Sequence, residues 1–311
     1  MDPRVLDIPY PIRFAIVHGL ILPRRPRASA EAYAKIWTRQ GSPLVVTSAS
    51  LRQRLEDRTG LPVELGMRYQ NPTIECALGK LMAAGVEEAL VVPLFPHNAT
   101  SSYVSAVERV KQVAAKMPDR LRIAVLPPYY DRPEYIEALA GTAAPYLKKA
   151  HDHLLFSFHG VPERHLRNAN PDCRECLSGP DCSDPGAASR DCYKRHCLAT
   201  VSRFAAVTGL ASSSFSFAFQ SRLGVDAWLK PTTHDEIVRL AAAGVRRLMV
   251  ICPSFTVDCL ETIEEIGMRG KEAFLEAGGS EFTLIPCLND QSVWIDALGR
   301  MTSGTATLMW K

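Results

Sequence analysis

Short apolar runs alternate along the chain with longer segments whose apolar positions recur every three or four residues. The runs are PLVVTS (43–48), VELGM (63–67), EALVVPLF (88–95), RIAVLPP (122–128), HLLFSFH (153–159), SFSFAFQ (214–220), RLMVICPSF (247–255) and FTLIPC (282–287). Their β-branched, unbroken apolar character predicts parallel strands covered on both faces. Segments 29–41, 72–84, 100–117, 132–149, 188–208, 232–243, 259–277 and 289–301 predict amphipathic helices. Alternation of this kind implies βαβ units, and so an α/β fold of doubly wound sheets.

An internal echo refines that expectation. LMAAGVEEALVVPLFP (81–96) resembles LAAAGVRRLMVICPSF (240–255): in each, a helix ends at Gly-Val and feeds a buried strand that stops near a proline. Two similar α/β halves split near residue 150 are the simplest reading. The expected units are 1–150, then 151–288 with a cysteine-rich insert at 170–197, and a C-terminal helix at 289–311. Ligands of open α/β sheets bind outside the carboxyl ends of the strands, so two such halves would hold a cleft between them.

Composition narrows the class. The chain has 311 residues, 47% of them hydrophobic and 22% charged, with a net charge of +3. That charge is too small to argue for nucleic acid. No run approaches the ~18 consecutive apolar residues of a membrane span. The start shows no apolar core behind a basic end, so a cytoplasmic protein is expected. The stretch IRFAIVHGLILPRRPR (12–27) joins apolar residues to a basic cluster. It reads either as a packed helix with a solvated basic loop or as a peripheral membrane contact.

The residues that carry chemistry gather after the strands. His159 ends a strand and precedes Gly160, which permits close approach of another group. A neutral imidazole there could take a proton or touch a metal. In SFTVDCLETIEEIG (254–267), Asp258 and Glu261 have the spacing of a capping box, a complete structural reason for Glu261. Glu261 and Glu265 also lie four apart on one helical face beside Glu264. Carboxylates in a row at a cleft mouth can relay protons or pass a divalent cation. After the earlier strand come Arg68 and Tyr69, the arginine suited to an anionic substrate. At the matching place in the second half, Gln220, Ser221 and Arg222 lead to Trp228, whose flat ring suits either a planar ligand or the core. Nine cysteines are present, five of them within 25 positions: Cys173, Cys176, Cys182, Cys192 and Cys197. Thiolates bind zinc or iron–sulfur iron in fours, and a reducing compartment disfavours disulfides.

Taken together, SAEAYAKIWTRQGSPL (29–44), GMRYQNP (66–72), PLFPHNATSSY (93–103), SFHGVPER (157–164), FAFQSRLGVDAWLKP (217–231), VICPSFTVDCLETIEEI (250–266) and NDQSVWIDAL (289–298) resemble ferrochelatase blocks, in family order. The resemblance implies two doubly wound, Rossmann-like domains with a porphyrin between them, and insertion of Fe2+ into protoporphyrin IX. It implies His159 and Glu261 as the central catalytic and metal-handling pair, with Glu265 as a proton or metal relay. Arg68, Tyr69 and Trp228 would contact the porphyrin. The insert resembles that of a bacterial subset carrying a [2Fe–2S] cluster, with Cys176, Cys182, Cys192 and Cys197 as ligands and Cys173 spare. Relative to the family pattern, a first strand and loop before Asp2 are not found in this chain, and the first sheet is expected to miss that strand. Coproporphyrin III is the rival substrate. A non-catalytic porphyrin- or cluster-binding homologue, and a cobalt or nickel chelatase, are the competing classes.

Overall fold

In the computed structural model, residues 9–117, 121–169, 191–222, 226–303 and 308–310 are described. The chain opens on α1 (Tyr10–Ile16), a π turn (Val17–Ile21) and α2 (Leu22–Ile36), then α3 (Pro43–Thr59) and α4 (Ile74–Ala83). Next come β1 (Glu88–Val91), a second π turn (Thr100–Val104), α5 (Ser105–Ala114), β2 (Arg122–Val125) and α6 (Pro133–Leu147). The second half holds β3 (His153–His159), α7 (Glu163–Ala169), α8 (Tyr193–Thr208), β4 (Phe215–Gln220), α9 (Thr233–Ala242) and β5 (Arg247–Ile251). A π-helix (Glu261–Gly270) then leads to α10 (Lys271–Glu276), β6 (Glu281–Leu284), α11 (Ser292–Ser303) and β7 (Leu308–Trp310).

The α/β expectation holds, with two sheets ordered β1-β2-β7 and β4-β3-β5-β6. The second sheet is all parallel. Its central strand, β3, is buried from His153 to Phe158, as a strand covered on both faces must be. In the first sheet β1 and β2 are parallel, and β7 returns antiparallel to β2. The expected C-terminal helix is therefore α11 followed by a short strand.

Two predicted strands are corrected. Residues 43–48 begin α3, because Ser42-Pro43 opens a helix and Gly60 closes it at φ 67°. Leu51 and Leu55 give that helix its buried face, against which α11 packs. Residues 63–67 run extended but form no ladder, only an isolated bridge between Met67 and Thr73. Among the described residues no strand lies alongside them, and a strand exists only through its neighbour's hydrogen bonds.

The echo is visible in the backbone. Thr73 caps α4 by accepting from the Cys76 N–H, and Thr232 caps α9 by accepting from the Asp235 N–H. Both helices end in a Schellman turn, Val86 N–H to Leu81 O at 3.0 Å and Val245 N–H to Leu240 O at 3.0 Å. One core nevertheless runs through both halves: Leu51, Leu126 and Tyr135 pack in the same cluster as Leu154, Phe156 and Trp294.

Candidate active site

His159 is the last residue of β3, pairing across to Gln220, the last residue of β4. Both of its backbone groups are held. Its N–H points at Ser254 Oγ (3.3 Å), and its carbonyl accepts from the Tyr193 hydroxyl (2.6 Å). Tyr193 and Ser254 also share a hydrogen bond (3.0 Å), so α8 and the end of β5 fix the strand end together. The ring Nδ1 lies 2.6 Å from the Gly160 carbonyl, which can only accept. That contact places a proton on Nδ1, and among the described residues no hydrogen bond engages Nε2.

Gly160 is required where it stands. A Cβ there would lie 2.6 Å from the Gln220 carbonyl oxygen and 3.3 Å from the Trp228 ring. Trp228 is thus packed on the residue beside His159, and a backbone bridge between Pro162 and Trp228 holds its loop. Phe255 lies near the imidazole on another side, the two ring centroids 5.9 Å apart.

Glu261 opens the π-helix. The capping box does not form. Asp258 N–H donates to Asn289 Oδ1 (2.9 Å), and the Asp258 carboxylate accepts from Thr262 Oγ1 (2.9 Å) and Asn289 Nδ2 (2.7 Å). Glu261 is consequently not spent as a cap. Its carboxylate has the Cys259 thiol beside it, and burial first, then the Glu261 charge, push that thiol's pKa well up. Tyr33 of α2 is near as well: burial, then Glu261, raise its phenol pKa. Glu264 faces a different way, nearly buried and ion-paired to Arg269 (3.0 Å) and Lys35 (3.5 Å). Glu265 accepts from Ser221 twice, at the backbone N–H (2.7 Å) and at Oγ (2.5 Å).

His159, Glu261, Glu265 and Trp228 are therefore connected through Gln220, Ser221 and Gly160. Arg68 and Tyr69 are placed elsewhere, on the first half. Arg68 Nε reaches the carbonyl (3.1 Å) and hydroxyl (3.0 Å) of Ser105, and its guanidinium stacks on Tyr69 at 4.6 Å. No contact joins them to His159 among the described residues. Sequence reasoning missed Tyr193, Ser254 and Tyr33. Their signal was weak, since each lies in an ordinary helical or loop context until the chain folds.

The cysteine insert is only partly described. Cys173, Cys176 and Cys182 lie outside the described residues. Cys192 stands at the N-cap of α8 without a side-chain hydrogen bond to the helix. Cys197 is enclosed completely and touches Tyr193, and burial pushes its pKa well up. Cys192 and Cys197 are thus both buried at the start of α8, one turn and a half apart. Among the described residues no three His, Cys, Asp or Glu side chains converge as a metal site. No helix there is long and apolar enough to cross a membrane.

A family model described as ferrochelatase matches residues 1–305. A ferrochelatase of Ectopseudomonas mendocina (strain ymp) is 47% identical over 301 residues, covering 96% of this chain and 88% of the relative. One from Pseudomonas fluorescens (strain Pf0-1) is 46% identical, covering 97% and 89%. Among solved structures, SirB of Bacillus subtilis with Fe3+ superposes with a TM-score of 0.54 at 15% identity, covering 83% of this chain and 87% of that one. That likeness concerns the fold alone.

Proposed function

The chain belongs to the ferrochelatase family of metal chelatases, and we propose that it inserts Fe2+ into protoporphyrin IX, releasing two protons and forming haem. One observation carries the site assignment: the strand end bearing His159 and the first turn bearing Glu261 are tied together through Gln220 (Nε2 to Glu261 O, 2.7 Å). Metallation requires the two pyrrole N–H protons to leave as a divalent ion enters. The Nε2 of His159 is the acceptor for one of them. Glu261, free of any capping duty, supplies a carboxylate for the second proton or for Fe2+, with Glu265 one step behind. Trp228, packed on Gly160, and Phe255, beside the imidazole, offer flat apolar surface near His159. Arg68 and Tyr69 would meet the porphyrin from the first half, the two units 1–150 and 151–288 closing on it. The parent imidazole, not its bulk, does the work: His159→Ala should cut insertion about 100-fold or more in a protein that still folds. A near-normal rate from folded His159→Ala would refute the assignment.

The [2Fe–2S] cluster, a cytoplasmic location and a peripheral membrane contact belong to this proposal too. The apolar side of α1 and α2 supports the contact, with Tyr10, Ile12, Phe14 and Leu22 exposed. For the cluster, Cys176, Cys182, Cys192 and Cys197 are the proposed ligands, with Cys173 spare. When bound, a cluster would supply structural support or redox sensing, and no step of the insertion passes through it. Anaerobically purified protein should hold iron and sulfide in near-equal amounts. Colourless protein carrying zinc would exclude the cluster.

A further inference from the structure

We propose that Gln220 and Ser221 are positioning residues of the insertion reaction, one holding the first turn of the π-helix in register with His159, the other fixing Glu265 behind it. The proposal rests on the chelatase reading of the site. Gln220 is 2% exposed, and both ends of its amide are committed. Ser157 Oγ donates to its Oε1 at 2.6 Å and is itself bonded to Thr233 Oγ1 at 2.8 Å. Its Nε2 then donates to the Glu261 carbonyl at 2.7 Å, which fixes the amide orientation because that carbonyl can only accept. Its own carbonyl accepts from the Gly160 N–H at 2.7 Å. One residue thus binds the backbone on both sides of the proposed pair.

Ser221 adds an independent sign. It is not glycine, yet its φ is +66°. Such a conformation is unfavourable and persists where the surroundings impose it, often at functional sites. Here it turns the backbone N–H and the hydroxyl toward the two oxygens of one carboxylate, that of Glu265. Glu265 is therefore anchored, while the Glu261 carboxylate, not spent as a cap and with only the Cys259 thiol and Tyr33 described beside it, is the one placed to move proton or metal. A π-helix is a rare, wide turn frequently found at functional sites. Its first residue is held by Gln220 and its fifth by Ser221, so the dipeptide sets where both carboxylates stand.

The test compares Gln220→Ala, Ser221→Gly and His159→Ala in the full chain, by anaerobic Fe2+ insertion and by amide exchange. Glycine relieves the backbone at 221, so that variant removes the hydroxyl without threatening the fold. Small displacements of a reacting group can cost about 100-fold, so kcat should fall by about 10- to 100-fold in both positioning variants. The KM for porphyrin should stay within about twofold, the mark of an interaction used in the transition state rather than in binding. In Gln220→Ala, amides of 259–266 should exchange faster while those of 271–276 do not. Unchanged kcat and unchanged exchange, beside an inactive His159→Ala, would overturn the positioning role and leave the chelatase site standing. An active His159→Ala would instead remove the reading beneath it. A loss confined to the porphyrin KM would also overturn the proposal, making the dipeptide part of the binding wall.

Discussion

At residue 160 the chain has no room for a side chain, and this follows from what His159 needs. The strand end must lie against Gln220 closely enough for the 2.7 Å hydrogen bond from the Gly160 N–H. Gly160→Ala should therefore lower stability by about 1–3 kcal/mol, the usual cost of overfilling a packed site. Thermal unfolding would show it, and insertion activity should fall with it as Trp228 is displaced. A second residue carries a pH dependence. His97 is fully buried among Phe158, Tyr130, Tyr193 and His196. Its Nε2 bonds Thr200 Oγ1 at 3.0 Å, and its Nδ1 has no hydrogen-bond partner among the described residues. Burial, and then the neighbouring His196, hold its pKa well below the ordinary value of 6.5. Above pH 6.5 the ring is neutral folded or unfolded. As pH falls below that, the unfolded chain takes up a proton that the fold refuses, and stability declines until the folded-state pKa is reached. His97→Gln should flatten the decline in denaturation midpoint below pH 6.5, and an unchanged slope would contradict this. Of these residues, the place of His159 at a strand end before glycine was legible in the sequence. The capping box expected for Glu261 was a misreading, because Asp258 takes Asn289 as its partner from 31 positions away.

At the scale of elements, the π-helix is the feature that periodicity could not resolve. Its buried positions Thr262, Ile266 and Gly270 stand four apart, a spacing that an α-helix also allows. What widens the turn is tertiary: the clamp from β4 and the start built on Asp258. Thr262 is fully buried there, its hydroxyl accepting from the Cys259 N–H (3.0 Å) and bonding to Asp258 (2.9 Å). Thr262→Val keeps the shape and strands those partners. The expected cost is about 1–3 kcal/mol, read as a lower denaturant midpoint at unchanged slope. A midpoint unmoved would mean that the start of the helix is held by Asn289 alone. The strands of the second half were legible throughout, the central β3 and β5 buried almost end to end and the edge strands β4 and β6 in part. The misread strands fall in the first half. Residues 43–48 carry valines that suit a strand, yet the helix signals at Ser42, Pro43 and Gly60 outweigh them. Residues 63–67 have strand composition without a strand beside them.

At the scale of the whole molecule, the repeated Thr cap, helix, Schellman turn and buried strand explain why a short echo in sequence was informative. It marked α4–β1 and α9–β5, two helix–strand units of the same build. The halves also share packing, because α11 leaves the second half and packs on α3 and α6 of the first. Ser50 Oγ to Asp290 (2.5 Å) and Arg58 to Asp296 (2.6 Å) tie that helix down. Through α11 the second half is therefore braced directly against the helices of the first. The central claim is that this chain is a working chelatase whose proton acceptor is His159. The most direct measurement is anaerobic Fe2+ insertion by the full chain and by His159→Ala, with protoporphyrin IX and with coproporphyrin III. The account predicts turnover of protoporphyrin IX by the wild-type chain, slower use of coproporphyrin III, and near-total loss in the variant. Porphyrin bound tightly by folded wild-type protein without any metal insertion would contradict it.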